Sequence, residues 1–283
     1  MMAVSAGCSG GSGANTPSTD STKPAAVASA PADRKYLLER VDDAAVVQLY
    51  ADGFEKLALR EKTLVWHLYQ AALAGRDIFY DQRYAHNLEM RNILEEIITH
   101  PENVDPQTLA EIQRYTKLFW INTGPYNNLT ARKFVLKCTP EAFAAAAAAA
   151  QKGGAKFPLR AGESLEALLK RLQPMFFDLT VDPVVTNKTP GAGKDILASS
   201  ANNLYVGVTM KEIGGFDEKH PLNSRLVKTN GKLVEEVYRV GGKYDAEIRL
   251  IVQHLEAAIP FATEPMAQAL RALVKFYQTG ATV

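Results

Sequence analysis

The feature that most constrains the fold is a three- and four-residue recurrence of apolar side chains over residues 54–120. Apolar residues at i, i+3, i+4 and i+7 share one face of a helix, so the pattern predicts packed helices rather than a sheet. Residues 54–80 carry it at Leu57, Leu64, Leu68, Ala71, Ala72 and Ile78, with Gly75 marking close packing against another helix. Residues 87–99 repeat it through Leu88, Ile93, Leu94, Ile97 and Ile98, and Pro101 helps end the run. Asp105-Pro106 opens the next helix as N-cap and first helical residue, and Leu109, Ile112, Tyr115, Leu118 and Phe119 extend it. Upstream, Tyr36, Leu37, Val41, Val46, Leu49 and Tyr50 fit the same spacing and predict a first amphipathic helix or a pair of short ones.

Beyond residue 120 the helices continue with more interruptions. Thr139-Pro140-Glu141 starts a helix that runs through seven consecutive alanines (144–150) and stops at Gly153-Gly154. Alanine has the best intrinsic helix propensity but offers little to pack, which predicts an exposed or lightly packed helix. Residues 164–177 form another amphipathic helix, through Leu165, Leu168, Leu169 and Leu172. The texture changes after Asp178: residues 187–200 are polar and irregular. The clearest β-signal follows, with residues 225–229 and 232–239 flanking Asn230-Gly231, the strongest two-residue hairpin turn. Two terminal helices, 243–259 and 264–278, are separated by Pro260. The expectation is a mainly α fold with a small β element (α+β), with a helical region over 34–178 and a mixed region over 179–283.

Residues 1–33 are rich in Ser, Gly, Thr, Ala and Pro and predict a disordered tether. Its start, with small residues leading into Gly7-Cys8-Ser9, resembles the end of a bacterial lipoprotein signal. That resemblance implies lipidation at Cys8 and a cell-envelope location, periplasmic or lipid-anchored, with a cytoplasmic location as the alternative. Few residues precede Cys8, and Ser5 stands where such signals usually carry an aliphatic residue, as expected if the start codon were assigned too far downstream.

The net charge of +1 gives no reason to expect a nucleic-acid partner. No window reaches 18 consecutive apolar residues, so no transmembrane helix is predicted. Cys8 and Cys138 lack the paired spacing of a zinc site, and Cys138, after Phe134-Val135-Leu136, reads as a small buried side chain. The histidines His67, His86, His100, His220 and His254 lack the i, i+4 spacing of a helical metal motif, and no H-E-x-x-H occurs. His67 reads as a hydrogen-bonded core residue and His254 as part of a charged helix surface. Gly191-Ala192-Gly193-Lys194 suggests a phosphate loop, but Lys188 stands where the first glycine belongs and Asp195 where Ser or Thr belongs. The amide-rich loop over 122–130 is the better place to look for binding residues, since loops on rigid scaffolds concentrate them.

Three stretches carry a family resemblance. Residues 68–82 centre on Ala74-Gly75-Arg76-Asp77-Ile78 and exit through Asp81-Gln82; residues 119–124 lead into the amide loop and Lys133-Phe134. The third joins residues 223–228, Asn230-Gly231-Lys232, 236–244 and 276–280. In order and spacing they resemble the N-terminal region of bacterial dipeptidyl peptidase III enzymes, a family of zinc metallopeptidases. The resemblance implies the N-terminal part of a two-lobed enzyme that removes dipeptides from peptide N-termini. The family's zinc is held by an H-E-x-x-G-H helix and a later glutamate, neither of which is present here. The resemblance thus implies no catalytic residue and no bound metal in this chain alone, with zinc belonging to the full-length parent and its C-terminal lobe. The family's cleft-wall loop matches Tyr126, Asn127, Asn128 and Leu129, which are therefore candidate contacts for a peptide substrate. The alternative is a non-catalytic peptide-binding or scaffold module that keeps only this lobe.

Overall fold

The structure, a computed structural model, describes residues 34–281; Cys8 lies outside the described residues. The fold is mainly α with small sheets. Its helices are α1 (Leu59–Ala74), α2 (Arg76–Arg83), α3 (Asn87–Thr99), α4 (Pro106–Asn122), α5 (Pro140–Lys152), α6 (Leu165–Phe177), a short α7 (Met210–Ile213), α8 (Asp245–Ala258) and α9 (Glu264–Thr279). Side-chain oxygens cap three of them: Asp105, Thr139 and Ser164 accept from the N–H groups of Thr108, Ala142 and Ala167 at 2.8, 3.1 and 3.1 Å. Each satisfies one of the orphan donors of a helix start. No helix among the described residues is long and apolar enough to cross a membrane.

The first predicted helix is instead a hairpin of β1 (Leu37–Val41) and β2 (Ala44–Val47). Asp42 takes a left-handed backbone, φ 51°, at the turn, a conformation that Asp tolerates better than most residues. Val41, Val46 and Val47 are β-branched and suit a strand, and this preference overrides a helical spacing only a few residues long. Arg114 reaches Asp42 at 2.7 Å and Lys117 reaches Glu39 at 2.8 Å, linking α4 to the hairpin.

Two clusters of buried side chains hold the described residues. The first gathers α2 to α6 around Ile93, Leu94, Ile112, Tyr115, Phe119 and Phe176. Each fully buried Ile, Leu or Phe among these contributes roughly 1.5–3 kcal/mol relative to exposure. The alanine run is seated in this core more firmly than an exposed or lightly packed helix would be: Ala146, Ala147 and Ala150 are buried, the last two fully (0%), while Ala145 is exposed. Their small size lets α5 approach its neighbours closely, while Phe143 fills the space beside Phe176 at 4.9 Å between ring centroids.

The second core joins α1 to α8 and α9 through Ala71, Ile248, Val252, Leu255 and Leu270, with Leu64 and Leu68 packed against it. A Cβ on Gly75 would meet Ile251 Cδ1 at 3.4 Å, which agrees with the close approach expected there. The two cores do not follow a division of the chain near residue 178. An early helix completes its burial against the last two.

The small sheet consists of β3 (Tyr205–Val206), parallel to β4 (Ser224–Thr229), which pairs antiparallel with β5 (Lys232–Val237). Asn230 and Gly231 both have positive φ, 50° and 76°, as a type I′ turn requires. Asp81 ties α2 to this region: it accepts from Tyr244 Oη at 2.6 Å and Asn203 Nδ2 at 3.1 Å, with Lys243 at 3.4 Å. Arg225 in turn donates to Asn203 Oδ1 at 2.7 Å and Glu236 at 2.6 Å.

Candidate functional site: the loop after α4

Helix α4 ends where Thr123 turns left-handed (φ 53°) and Gly124 takes φ 130°. Asn87, fully buried at the start of α3, pins this reversal by donating Nδ2 to Tyr80 O at 2.9 Å and Thr123 O at 3.2 Å. The chain then runs inward. Tyr126 is fully buried (0% exposed), donates its hydroxyl to Asp182 O at 2.9 Å, and meets the Tyr84 ring edge-on at 5.3 Å. Tyr84 Oη donates to the Asp182 carboxylate at 2.7 Å, and Arg83 donates to Tyr126 O at 3.0 Å. Burial pushes both phenols above the usual tyrosine range.

Lys133 closes the loop. Tyr126 and Lys133 pair as an isolated antiparallel bridge. The Lys133 ammonium donates to three carbonyls, Pro174 at 3.0 Å, Asp178 at 2.8 Å and Val181 at 2.8 Å. A cation at the exposed carbonyls of a helix C-terminus, here α6, is favourable with the helix dipole. Burial pulls this ammonium down to about 8, with Asp182 and Asp178 opposing.

The four residues expected to touch a peptide are thus placed very differently. Tyr126 is a core residue, and the correction has a plain cause: its ring completes the first core and its hydroxyl is spent on Asp182. Asn127 folds back on its own turn, Oδ1 accepting from Leu129 N at 2.9 Å and Thr130 N at 3.0 Å. Asn128 is anchored through its N–H to Asn122 Oδ1 at 2.9 Å, and its side chain donates to Ile121 O at 3.3 Å. Asn128 is exposed despite these bonds, and Leu129 stands clear, 95% exposed at the tip of the loop. The arrangement holds an apolar side chain out on a backbone fixed from below.

The remaining candidates also have definite places. His100 Nδ1 lies 3.0 Å from Glu96 O and His220 Nδ1 lies 2.7 Å from Gly280 O, so each satisfies a carbonyl at or beyond a helix end. Asp195 Oδ1 accepts from Leu197 N (2.9 Å) and Ala198 N (3.1 Å), and Oδ2 from Met210 N (2.8 Å). The carboxylate that stands where Ser or Thr would belong is therefore engaged with the turn that follows it and with the start of α7, and Lys194 N donates to Gly191 O at 3.3 Å within the 191–195 turn. Cys138 is half-buried against the first core, and burial pushes its thiol up to about 11, away from nucleophilic use near neutral pH. His67 and His254 face each other across α1 and α8, a pairing that neither local sequence suggests because 187 positions separate them. Among the described residues no group of three or more His, Cys, Asp or Glu is placed to hold a metal ion.

Fold and site together define a mainly helical α+β domain with a pinned, amide-rich loop that presents one apolar side chain. No protein-family model matches the chain, and no curated protein matches it in sequence. Among solved structures it is similar to the structure of DPP III from Caldithrix abyssi, with 19% identity and a TM-score of 0.46 over 79% of this chain. The match spans 31% of that protein's chain.

Proposed function

We propose that this chain is a lobe of a zinc dipeptidyl peptidase, contributing a wall for the peptide while a further lobe of the same protein holds the metal. The resemblance of residues 68–82, 119–134 and 223–280 to the dipeptidyl peptidase III family supports the reaction class. The observation that carries the lobe reading is α1. Leu64, Leu68 and Ala71 serve the second core, yet Leu59, Trp66, Tyr69 and Leu73 recur at helical spacing on the exposed side. Trp66 is 51% and Tyr69 57% exposed. A helix that is apolar on both faces is one covered on both, and contiguous exposed apolar surface marks an interface.

When bound in its own lobe, zinc would polarise the scissile carbonyl and lower the pKa of its water toward about 7. No step of that chemistry is assigned to this chain. Its part is positioning: Leu129 meets an apolar peptide side chain, and the partly engaged amide of Asn128 pairs with peptide backbone. In the protein extended past Val283, Leu129→Asp should raise KM for a dipeptidyl arylamide several-fold with kcat and Tm unchanged. Unchanged KM would remove Leu129 from the peptide path. For the chain alone, self-association in sedimentation should fall in a Trp66→Ser/Tyr69→Ser/Leu73→Ser variant; a strictly monomeric parent chain would contradict the lobe reading.

A second reading, a peptide-binding or scaffold module without catalysis, is favoured by the exposure of Leu129 on a pinned loop. It predicts peptide binding by this chain with no hydrolysis by any extended form. The proposed envelope location rests on the composition of residues 1–33. Intact-mass measurement of protein made from its natural gene tests it, a diacylglycerol adduct at Cys8 supporting it and an unmodified thiol opposing it.

A further inference from the structure

We propose that His67 and His254 form a two-histidine clip for a borderline divalent ion of the zinc, nickel and copper class. Their Nδ1 atoms lie 3.4 Å apart, one from α1 and the other from α8. That separation is long for a nitrogen-donated hydrogen bond, whose usual range is about 2.7–3.2 Å. It is the separation a metal requires: two imidazole nitrogens at about 2.0–2.1 Å from a tetrahedral ion stand about 3.3–3.4 Å apart. Imidazole suits zinc, copper and nickel rather than calcium or magnesium.

The surroundings hold both rings in place. Trp66 meets His67 and His254 edge-on at 4.8 and 5.7 Å between centroids, and Phe261 stacks on His67 at 6.0 Å. Arg60 braces the turn that carries Phe261, donating to Phe261 O at 3.1 Å and Ala262 O at 2.7 Å. Both imidazoles are half-buried, so an ion can reach them from solvent and complete its shell with water. Two protein ligands make this clip unlike a catalytic zinc centre, which uses three. Its consequence is mechanical: an ion held here fastens α1 to α8 and stabilises the folded chain in proportion to occupancy.

The test uses tag-free protein, zinc chloride and nickel chloride. Calorimetry at pH 7.5 should show saturable binding of one ion per chain, and Tm should rise with metal concentration. His67→Gln and His254→Gln should each weaken binding by roughly tenfold or more and abolish the rise in Tm, with circular dichroism confirming that both variants fold. His100→Ala should bind as the parent does. Absence of saturable heat, or equal binding by the two Gln variants, overturns the proposal and leaves the pair as a simple imidazole contact. Because the probe is metal binding by this chain alone, its failure leaves the peptidase reading unaffected.

Discussion

Gly124 and Asn87 are packed so closely that a Cβ on Gly124 would stand 2.7 Å from both the Nδ2 and Oδ1 atoms of the Asn87 side chain. Gly124 also has φ 130°, a backbone region closed to residues with a Cβ. The start of α3 and the end of α4 are fitted to each other at this point, and the 122–133 loop hangs from the joint.

Gly124→Ala should therefore destabilise the protein by about 2–4 kcal/mol, combining backbone strain with displacement of a buried amide. Urea unfolding measures it. A cost below about 0.5 kcal/mol, the size expected at an indifferent surface position, would contradict the joint.

Lys133→Met should cost about 2–3 kcal/mol, because the carbonyls of Asp178 and Val181 lose the ammonium while Pro174 O keeps the Asp178 N–H. The pH dependence follows from the lowered pKa of about 8. Below that value folded and unfolded chains hold the proton alike. As pH rises from about 8 toward the ordinary lysine value of 10.5, the folded chain releases it first, so this group's contribution to stability increases. The buried phenols of Tyr84 and Tyr126 oppose this above about pH 10, where unfolded tyrosines ionise. Between pH 8 and 9.5 the parent should gain stability relative to Lys133→Met; parallel curves would refute the assignment.

Acid should act through the carboxylates. The hydrogen bond from Arg171 holds Glu163 at about 2, that from Lys228 holds Glu212 at about 2, and Arg91 lowers Asp77. Each contribution is complete above the unfolded value and disappears as pH falls toward the folded one. Arg171 also grips Glu89 of α3 at 2.8 and 2.9 Å. Arg171→Met should flatten the fall in Tm between pH 4.5 and 2; an unaltered slope would show that the pairs are immaterial.

The alanine helix offers a contrast within one run. Ala147→Leu should cost about 1–3 kcal/mol by overpacking, whereas exposed Ala145→Lys should change stability by less than about 0.5 kcal/mol. Equal effects would mean that α5 is not seated as described.

The longer helices from 87 onward are legible because local chemistry announces them: Asp105 caps α4 as read from Asp105-Pro106, α5 and α6 start at Thr139-Pro140 and after Ser164, and Asn230-Gly231 turns the hairpin, whereas the single turn of α7 gives no such signal. What escaped were relationships between distant residues. The 37–47 segment matched helical spacing by coincidence over few residues, and its β-branched valines won. Propensity alone could not tell whether Ala144 to Ala150 faced solvent or a core, since small residues serve close packing as well as exposure. The parallel pairing of Tyr205–Val206 with β4 and the meeting of His67 with His254 have no local signal. For the candidate loop, the turn itself could be read from its amides, but the inward course of Tyr126 depends on Asp182, and the capture of Lys133 on the end of α6.

The most direct test of the lobe assignment is hydrolysis of a dipeptidyl arylamide by this chain and by the protein extended past the codon for Val283, each supplied with zinc. The extended protein should cleave it and the chain ending at Val283 should not. Cleavage by this chain alone, or by neither protein, would contradict the assignment.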